Sequence, residues 1–384
     1  MTHEIQENLP EPRKPSTEES SGLLLSLSPF LLVSWSSRFF VSLSSHLRVI
    51  RSSRPFLRLP ALSGPVLGLI GVLSVFIILF SVRGEVDRFL SPRNIQVLVH
   101  GDTITAVAAL GMLLIIISGG IDLSIGSVVA LVTVVMMQLY RQVYVDTGSA
   151  VAASLVAVPA GIAIGGACGL VNGLVITRLR VAPFVATLGM LSVARGLAYW
   201  LAERQTVNFP VGARPGWVDL LSAVESEYTF FDPGVWIMLL LASGVAVLLR
   251  FTVLGRYCYA IGSNEATARL CGVPVERNKV VLYTLAGLLT GWAGVLMFAH
   301  LGIGDPNSAR GLELEVIAAV VIGGASLSGG QGTVLGTLLG VLILAVLKNG
   351  VSNFDVPVEV QYILIGVIII ANTALSRWQR RQGE

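Results

Sequence analysis

The residues with most chemical consequence are the few ionisable groups that lie inside or beside apolar stretches. Asp122 stands in the run Gly119-Gly120-Ile121-Asp122-Leu123-Ser124, between two such stretches. Its carboxylate and the Ser124 hydroxyl could bond a hydroxylated solute, or could hold a turn by accepting backbone N–H groups. Charges inside a membrane segment are expensive and tend to mark function. Arg195 lies in the apolar segment 183–202. It either reaches outward along its alkyl stem or pairs with Glu203, Glu313 or Glu315. His100, Asp102 and His300 fall near segment ends, where they are expected to face water.

Machinery for making or breaking covalent bonds is missing from the sequence. There is no nucleophile–base pair and no H-E-x-x-H. Cys168, Cys258 and Cys271 have neither metal-ligand spacing nor an even count for disulfides. None of the lysines (Lys14, Lys279, Lys348) follows a glycine, so there is no P-loop to cradle ATP. The reading is a non-enzyme with no cofactor and no metal.

One polar stretch, 250–279, has apolar segments on both sides. It holds five basic residues (Arg250, Arg256, Arg269, Arg277, Lys279) and two acidic ones (Glu265, Glu276). A short helix is predicted within it. Asn264 can accept from first-turn N–H groups, Gly272 can take the left-handed position after Cys271, and Pro274 forbids continuation. A helix this short is marginal alone in water, so it is expected to dock into a partner on the cytoplasmic side. The plainer alternative is an amphipathic linker resting on headgroups.

The elements that must position these residues are set by composition. The 384 residues are 54% apolar and 13% charged, against about 25% charged in soluble domains. Runs of about 20 apolar residues are transmembrane candidates. Ten are expected, at 62–82, 99–118, 124–141, 150–177, 183–202, 233–251, 280–301, 311–324, 332–350 and 359–376. Basic loops favour the cytoplasm. Starting the chain inside puts Arg178, Arg180, the 250–279 loop and the terminal Arg377, Arg380 and Arg381 there too. The 203–232 loop, with five acids and two arginines, falls outside. The net charge of +3 is too small and too scattered to suggest nucleic acid.

Residues 1–20 read as a polar, disordered tail, and 21–60 either as a Ser/Leu-rich, basic cytoplasmic segment that could graze the membrane or as the product of a misassigned start codon. Residues 61–376 form the membrane domain, and 377–384 a cytoplasmic tail. Gly161, Gly165, Gly169 and Gly173 line one helix face, as do Gly332, Gly336 and Gly340, so close helix packing is expected. The pattern GGxxLSxG occurs at Gly119, Gly120, Ser124 and again, 204 residues later, at Gly323, Gly324, Ser328. Helices broken at matching places in two halves point to a transport path between the halves. Simple turns at the cytoplasmic surface are the other reading.

Four motifs carry a resemblance over about residues 61–376. They are GGIDLSIGSVVAL at 119–131, RVAPFVATLGMLSVARGLAYW at 180–200, GRYCYAIGSNEATARLCGVPVERNK at 255–279, and the ELEVIAAVVIGGASLSGGQGTVLGTLLGVLI run at 313–343. Together they resemble the permease subunits of ABC importers for simple sugars, the ribose, xylose and galactose group. The resemblance implies an all-α, polytopic helical bundle of the type II importer kind, dimeric, in the inner membrane. It implies an ATP-binding subunit with two nucleotide-binding domains, a periplasmic sugar-binding protein, and a second permease copy. The loop 263–272 would be the coupling helix, with Asn264, Glu265, Ala268, Arg269 and Gly272 on the matching positions. Gly119, Gly120, Asp122, Ser124, Arg195, Gly323, Gly324 and Ser328 would border the translocation path. The implied activity is import of a pentose or hexose by alternating access. The alternatives are a permease for another small solute, such as a branched-chain amino acid, an ion-coupled carrier, or a membrane scaffold.

Overall fold

A computed structural model describes residues 63–224 and 230–354, together with residues 363 and 366. The expected segment 1–60, the tail 377–384 and, apart from those two residues, the span at 359–376 lie outside the described residues. The elements run α1 (Ser63–Arg83), α2 (Val86–Phe89), α3 (Pro92–Gly101), α4 (Thr103–Ile117), α5 (Ile125–Thr147), α6 (Ala150–Arg178) and α7 (Pro183–Leu201). Then come β1 (Val207–Asn208), α8 (Gly216–Ser222), α9 (Pro233–Phe251), α10 (Val253–Ser263), α11 (Glu265–Leu270), α12 (Val275–Leu301), β2 (Ile303–Gly304), α13 (Leu312–Ile322) and α14 (Val334–Ser352). The two strands form a single antiparallel clasp, Val207 opposite Gly304 and Asn208 opposite Ile303.

Seven helices among the described residues are long and apolar enough to cross a bilayer: α1, α5, α6, α7, α9, α12 and α14. The pair α3–α4, bent by 45° at Asp102, makes an eighth. The membrane-spanning all-helical class is therefore as expected, but the count of ten is not reached among the described residues. The stretch expected to cross at 311–324 is one cause. It holds only the 11-residue α13, about 16 Å long at 1.5 Å per residue, roughly half the hydrocarbon thickness.

The core forms around α4, whose residues are buried from Thr103 to Ile117. Its sequence TITAVAALGMLLIII is apolar on every side, as a helix enclosed by others must be. The predicted glycine face of α6 packs on α12. A β-carbon at Gly165 would lie 2.6 Å from the Cα of Gly291, and one at Gly287 would lie 2.9 Å from the Cα of Gly169. The backbones thus touch directly, and the glycine faces are a packing device, as read. Gly336 and Gly340 likewise leave room for the carbonyls of Gly323 and Ala319 on α13. The outward faces of α1 and α7 carry exposed Leu67, Ile78, Val82, Phe184, Val193 and Trp200. Apolar surface of that extent suits lipid.

Candidate functional site

The two GGxxLSxG segments end their helices by the same hydrogen-bond pattern. At the end of α4, the Gly119 and Gly120 amides donate to the carbonyls of Ile116 (3.0 Å) and Ile115 (2.9 Å). At the end of α13, the Gly324 and Ala325 amides donate to Val321 (3.0 Å) and Val320 (3.1 Å). Both are Schellman closures, which need a left-handed residue after the cap. Gly119 and Gly324 supply it with φ of +82° and +90°.

The next residues repeat as well. The Asp122 carboxylate accepts from the Ser124 amide (2.8 Å) and hydroxyl (2.5 Å). Ser326, its counterpart, accepts from the Ser328 amide at 3.3 Å. The Asx-type turn repeats in register, whereas the helix closure comes one position later in the second segment: Gly323, which aligns with Gly119, keeps a right-handed φ of −66°. Asp122 performs the turn-holding role of the two considered, and Asn172 donates to Ser124 behind it at 3.1 Å. Asp122 and Ser124 of the first break are buried and its Gly119 is exposed, whereas Gly324 and Ser328 of the second are exposed and its Gly323 is buried.

Arg195 departs from both expectations for it. It neither turns outward nor pairs with Glu203, Glu313 or Glu315. Its guanidinium donates to the carbonyls of Pro306 (2.7 Å) and Ser308 (2.9 Å) and to the Ser127 hydroxyl (3.3 Å). Backbone unwound at membrane depth leaves carbonyls without partners. A guanidinium, with five donors and no acceptor, satisfies several at once. Next to it, Tyr199, Asn307 and Arg310 bond one another. This anchorage of residues 305–310 explains why α13 starts so late and is only half a span.

The expectation that His100, Asp102 and His300 face water is overturned for the first two, and His300 is half-buried. His100 and Asp102 are buried. Lys348 on α14 lies 2.5 Å from Asp102 and 2.6 Å from Glu315 on α13, and Thr105 donates to Glu315 at 3.0 Å. His100 lies 3.3 Å from Asp232 and stacks on His300 at 4.1 Å between ring centres. Lys348 is the functional-type residue missed from sequence. The available signal was that it is the one lysine inside an expected span.

The predicted short helix is α11. Asn264 accepts from the Thr267 amide at 2.9 Å. At the other end, the Gly272 and Val273 amides donate to Arg269 and Ala268, both at 3.1 Å, giving a third Schellman closure. Ala268 is buried against Ile261 and Val275 and holds the helix down. Glu265 pairs with Lys279 (2.6 Å) and Arg269 (3.2 Å), and Arg269 also pairs with Glu276. Partial burial pushes the Glu265 carboxyl up, but the hydrogen bonds and charges of Lys279 and Arg269 outweigh it and hold the pKa below its ordinary value. Glu276, then Glu265, hold the Arg269 guanidinium above its own. These pairings leave Leu270, 89% exposed, at the tip. A cavity of about 450 Å3 opens beside α11, lined by Arg180, Pro183, Glu265, Arg269, Glu276 and Lys279.

Residues 96–373 match the family described as branched-chain amino acid transport system / permease component. The chain belongs to this family of transport permeases. Curated members similar to it include the L-arabinose ABC transporter permease protein AraH of Azospirillum brasilense, 35% identical over 81% of this chain and 88% of that one. The ribose import permease protein RbsC of Escherichia coli strain K12 is 36% identical over 78% of this chain and 90% of that one. The fructose import permease protein FrcC of Rhizobium meliloti is 30% identical over 77% and 80%. No solved structure matches the permease.

Proposed function

We propose that this permease is the membrane subunit of an ATP-driven importer and carries a monosaccharide, a pentose or hexose, across the bacterial inner membrane. The observation that carries the reading is α11. A helix of six residues is capped at both ends, tied to its own loop by ion pairs, and left with an unpartnered leucine at its tip. Asn264, Glu265, Arg269 and Gly272 shape it for docking into a separate ATP-binding subunit with two nucleotide-binding domains, and Ala268 seats it. A periplasmic binding protein delivers the sugar, and a second permease copy completes the path. Both termini and α11 lie on the cytoplasmic side.

Closure of the ATPase moves α11, and the bundle exposes its centre to one side and then the other. Gly119, Gly120, Asp122, Ser124, Gly323, Gly324 and Ser328 form the breaks that border the path. Asp122 and Arg195 act on the chain's own backbone, and the solute is left to neutral groups. The relatives support a sugar, since arabinose, ribose and fructose stand in their names.

The family description favours a second solute, a branched-chain amino acid. Uptake of labelled arabinose, ribose, fructose and leucine by cells with and without the chain separates the two. Chain-dependent uptake of leucine alone would replace the sugar reading. Uptake that stops when the proton gradient is collapsed at constant ATP would replace the ATP-driven one.

A further inference from the structure

Three segments far apart in sequence meet at one point of backbone contact. The end of α4 brings the Ile117 carbonyl, the second break brings Gly329 and Gly330, and the end of α10 brings Gly262 and Ser263. The Gly330 amide donates to the Ile117 carbonyl at 2.8 Å, so the two breaks are bonded to each other. Gly262 sits against that bond. A β-carbon there would overlap the Ile117 carbonyl oxygen and lie 2.5 Å from the Gly330 nitrogen. In return, a β-carbon at Gly329 would lie 2.6 Å from the Gly262 carbonyl oxygen, and one at Gly330 would lie 2.9 Å from the Cα of Ser263. Two further bonds run from the same helix to residues that flank the two breaks. Cys258 Sγ lies 3.4 Å from the Leu114 carbonyl, and the Tyr259 hydroxyl donates to the Gly332 carbonyl at 2.8 Å.

We propose that α10 is the transmission element of the permease, with Gly262 as its joint, clamping both helix breaks to the coupling helix so that all three move as one block. Resting on the reading of α11 as the ATPase-docking helix, the inference names how that helix's motion enters the bundle. Only Asn264 separates α10 from α11, which leaves no slack between joint and docking helix. Main chain meets main chain at the joint, so no side-chain rotamer stands between the parts to absorb a displacement. Close-packed contacts of this kind have low compressibility and pass a displacement on. One moving helix thereby reaches the matching break of each half together, which the repeat geometry alone does not provide.

The test uses the full-length permease assembled in lipid vesicles with its ATP-binding subunit and binding protein. The first variant joins Ser263→Cys with Gly330→Cys. A β-carbon at Gly330 lies 3.2 Å from the Ser263 Cβ, close to the spacing of about 3.5–4.5 Å that a disulfide takes. If the joint moves as a block, oxidised and reduced proteins take up sugar at equal rates. Arrest on oxidation, reversed by reductant, would mean that the surfaces slide, and would overturn the proposal.

The second variant, Tyr259→Phe, removes one bond of the clamp and decides the matter if the double variant fails to accumulate. It is expected to retain bound ATPase and hydrolysis while moving roughly two- to tenfold less sugar per ATP, the worth of one hydrogen bond. An unchanged ratio, or uptake and hydrolysis falling in proportion, would overturn the proposal, since a purely structural defect gives the latter. The docking reading is checked apart, by Arg269→Glu. Full retention of the ATPase by that variant would sink α11 as the docking helix and leave the joint measurements standing.

Discussion

The Lys348 ammonium lies 2.5 Å from the Asp102 carboxylate, tying the bend between α3 and α4 to the far end of α14. Glu315 shares the same ammonium at 2.6 Å, so one cation on α14 serves a carboxylate at the α3–α4 bend and another on α13.

Removing Lys348 leaves a buried carboxylate, Asp102, and a half-buried one, Glu315, without a cation. Breaking a buried ion pair from one side destabilises by about 3–5 kcal/mol. Lys348→Met is expected to lower the thermal midpoint of the purified protein strongly. Adding Asp102→Asn to Lys348→Met should recover part of the loss. Equal melting of wild type and Lys348→Met would show that the pair carries no stability.

Arg195 holds the unwound segment through two carbonyls and a hydroxyl. Hydrogen bonds to charged groups contribute about 1.5–3 kcal/mol each, so Arg195→Ala should release residues 305–310. Hydrogen exchange should rise there and stay unchanged in α12. Arg195→Lys is expected to fall between the two, since a single ammonium cannot reproduce the planar fork.

The caps of α11 can be tested singly. Asn264→Ala removes the acceptor of the Thr267 amide and should reduce protection of the helix by about 1 kcal/mol. Asn264→Ser should retain most of it. Identical exchange in both variants would mean that the loop's ion pairs alone order the helix.

The ion pairs predict a pH dependence whose sign is set by Glu265. Its pKa in the folded protein is lowered from an ordinary value of 4.5. The stabilisation of the loop is therefore fully present above pH 4.5 and is lost as pH falls through the lowered value. Exchange protection of α11, corrected for intrinsic rates, should drop on acidification below pH 4.5. Glu265→Gln should flatten that response, and an unaltered pH profile in the variant would assign it to other groups.

Much of this was legible in the sequence wherever the governing chemistry is local. A bilayer demands about 20 apolar residues in a row, so α1, α5, α6, α7, α9, α12 and α14 stood out. Asn264, Gly272 and Pro274 marked the ends of α11 because capping involves neighbours within a turn. The Asp122 turn spans two residues and was readable for the same reason.

What escaped depends on distant partners. Residues 311–324 are largely apolar, and the chain before α13 is held unwound by partners as distant as Arg195, more than a hundred positions away. Asp102 lies 246 positions from the lysine that neutralises it. Nothing near His100 announces Asp232 or His300. Period and composition carry no record of such pairings, so these residues looked like water-facing termini.

Of the three cysteines, Cys271 alone is exposed, at the C-cap of α11, while Cys258 is buried and Cys168 half-buried. Nature has thus left one attachment point for a dye on the part of the molecule proposed to move. A fluorophore placed there needs no prior mutagenesis and would report, in real time, each grip and release by whatever seizes that tip.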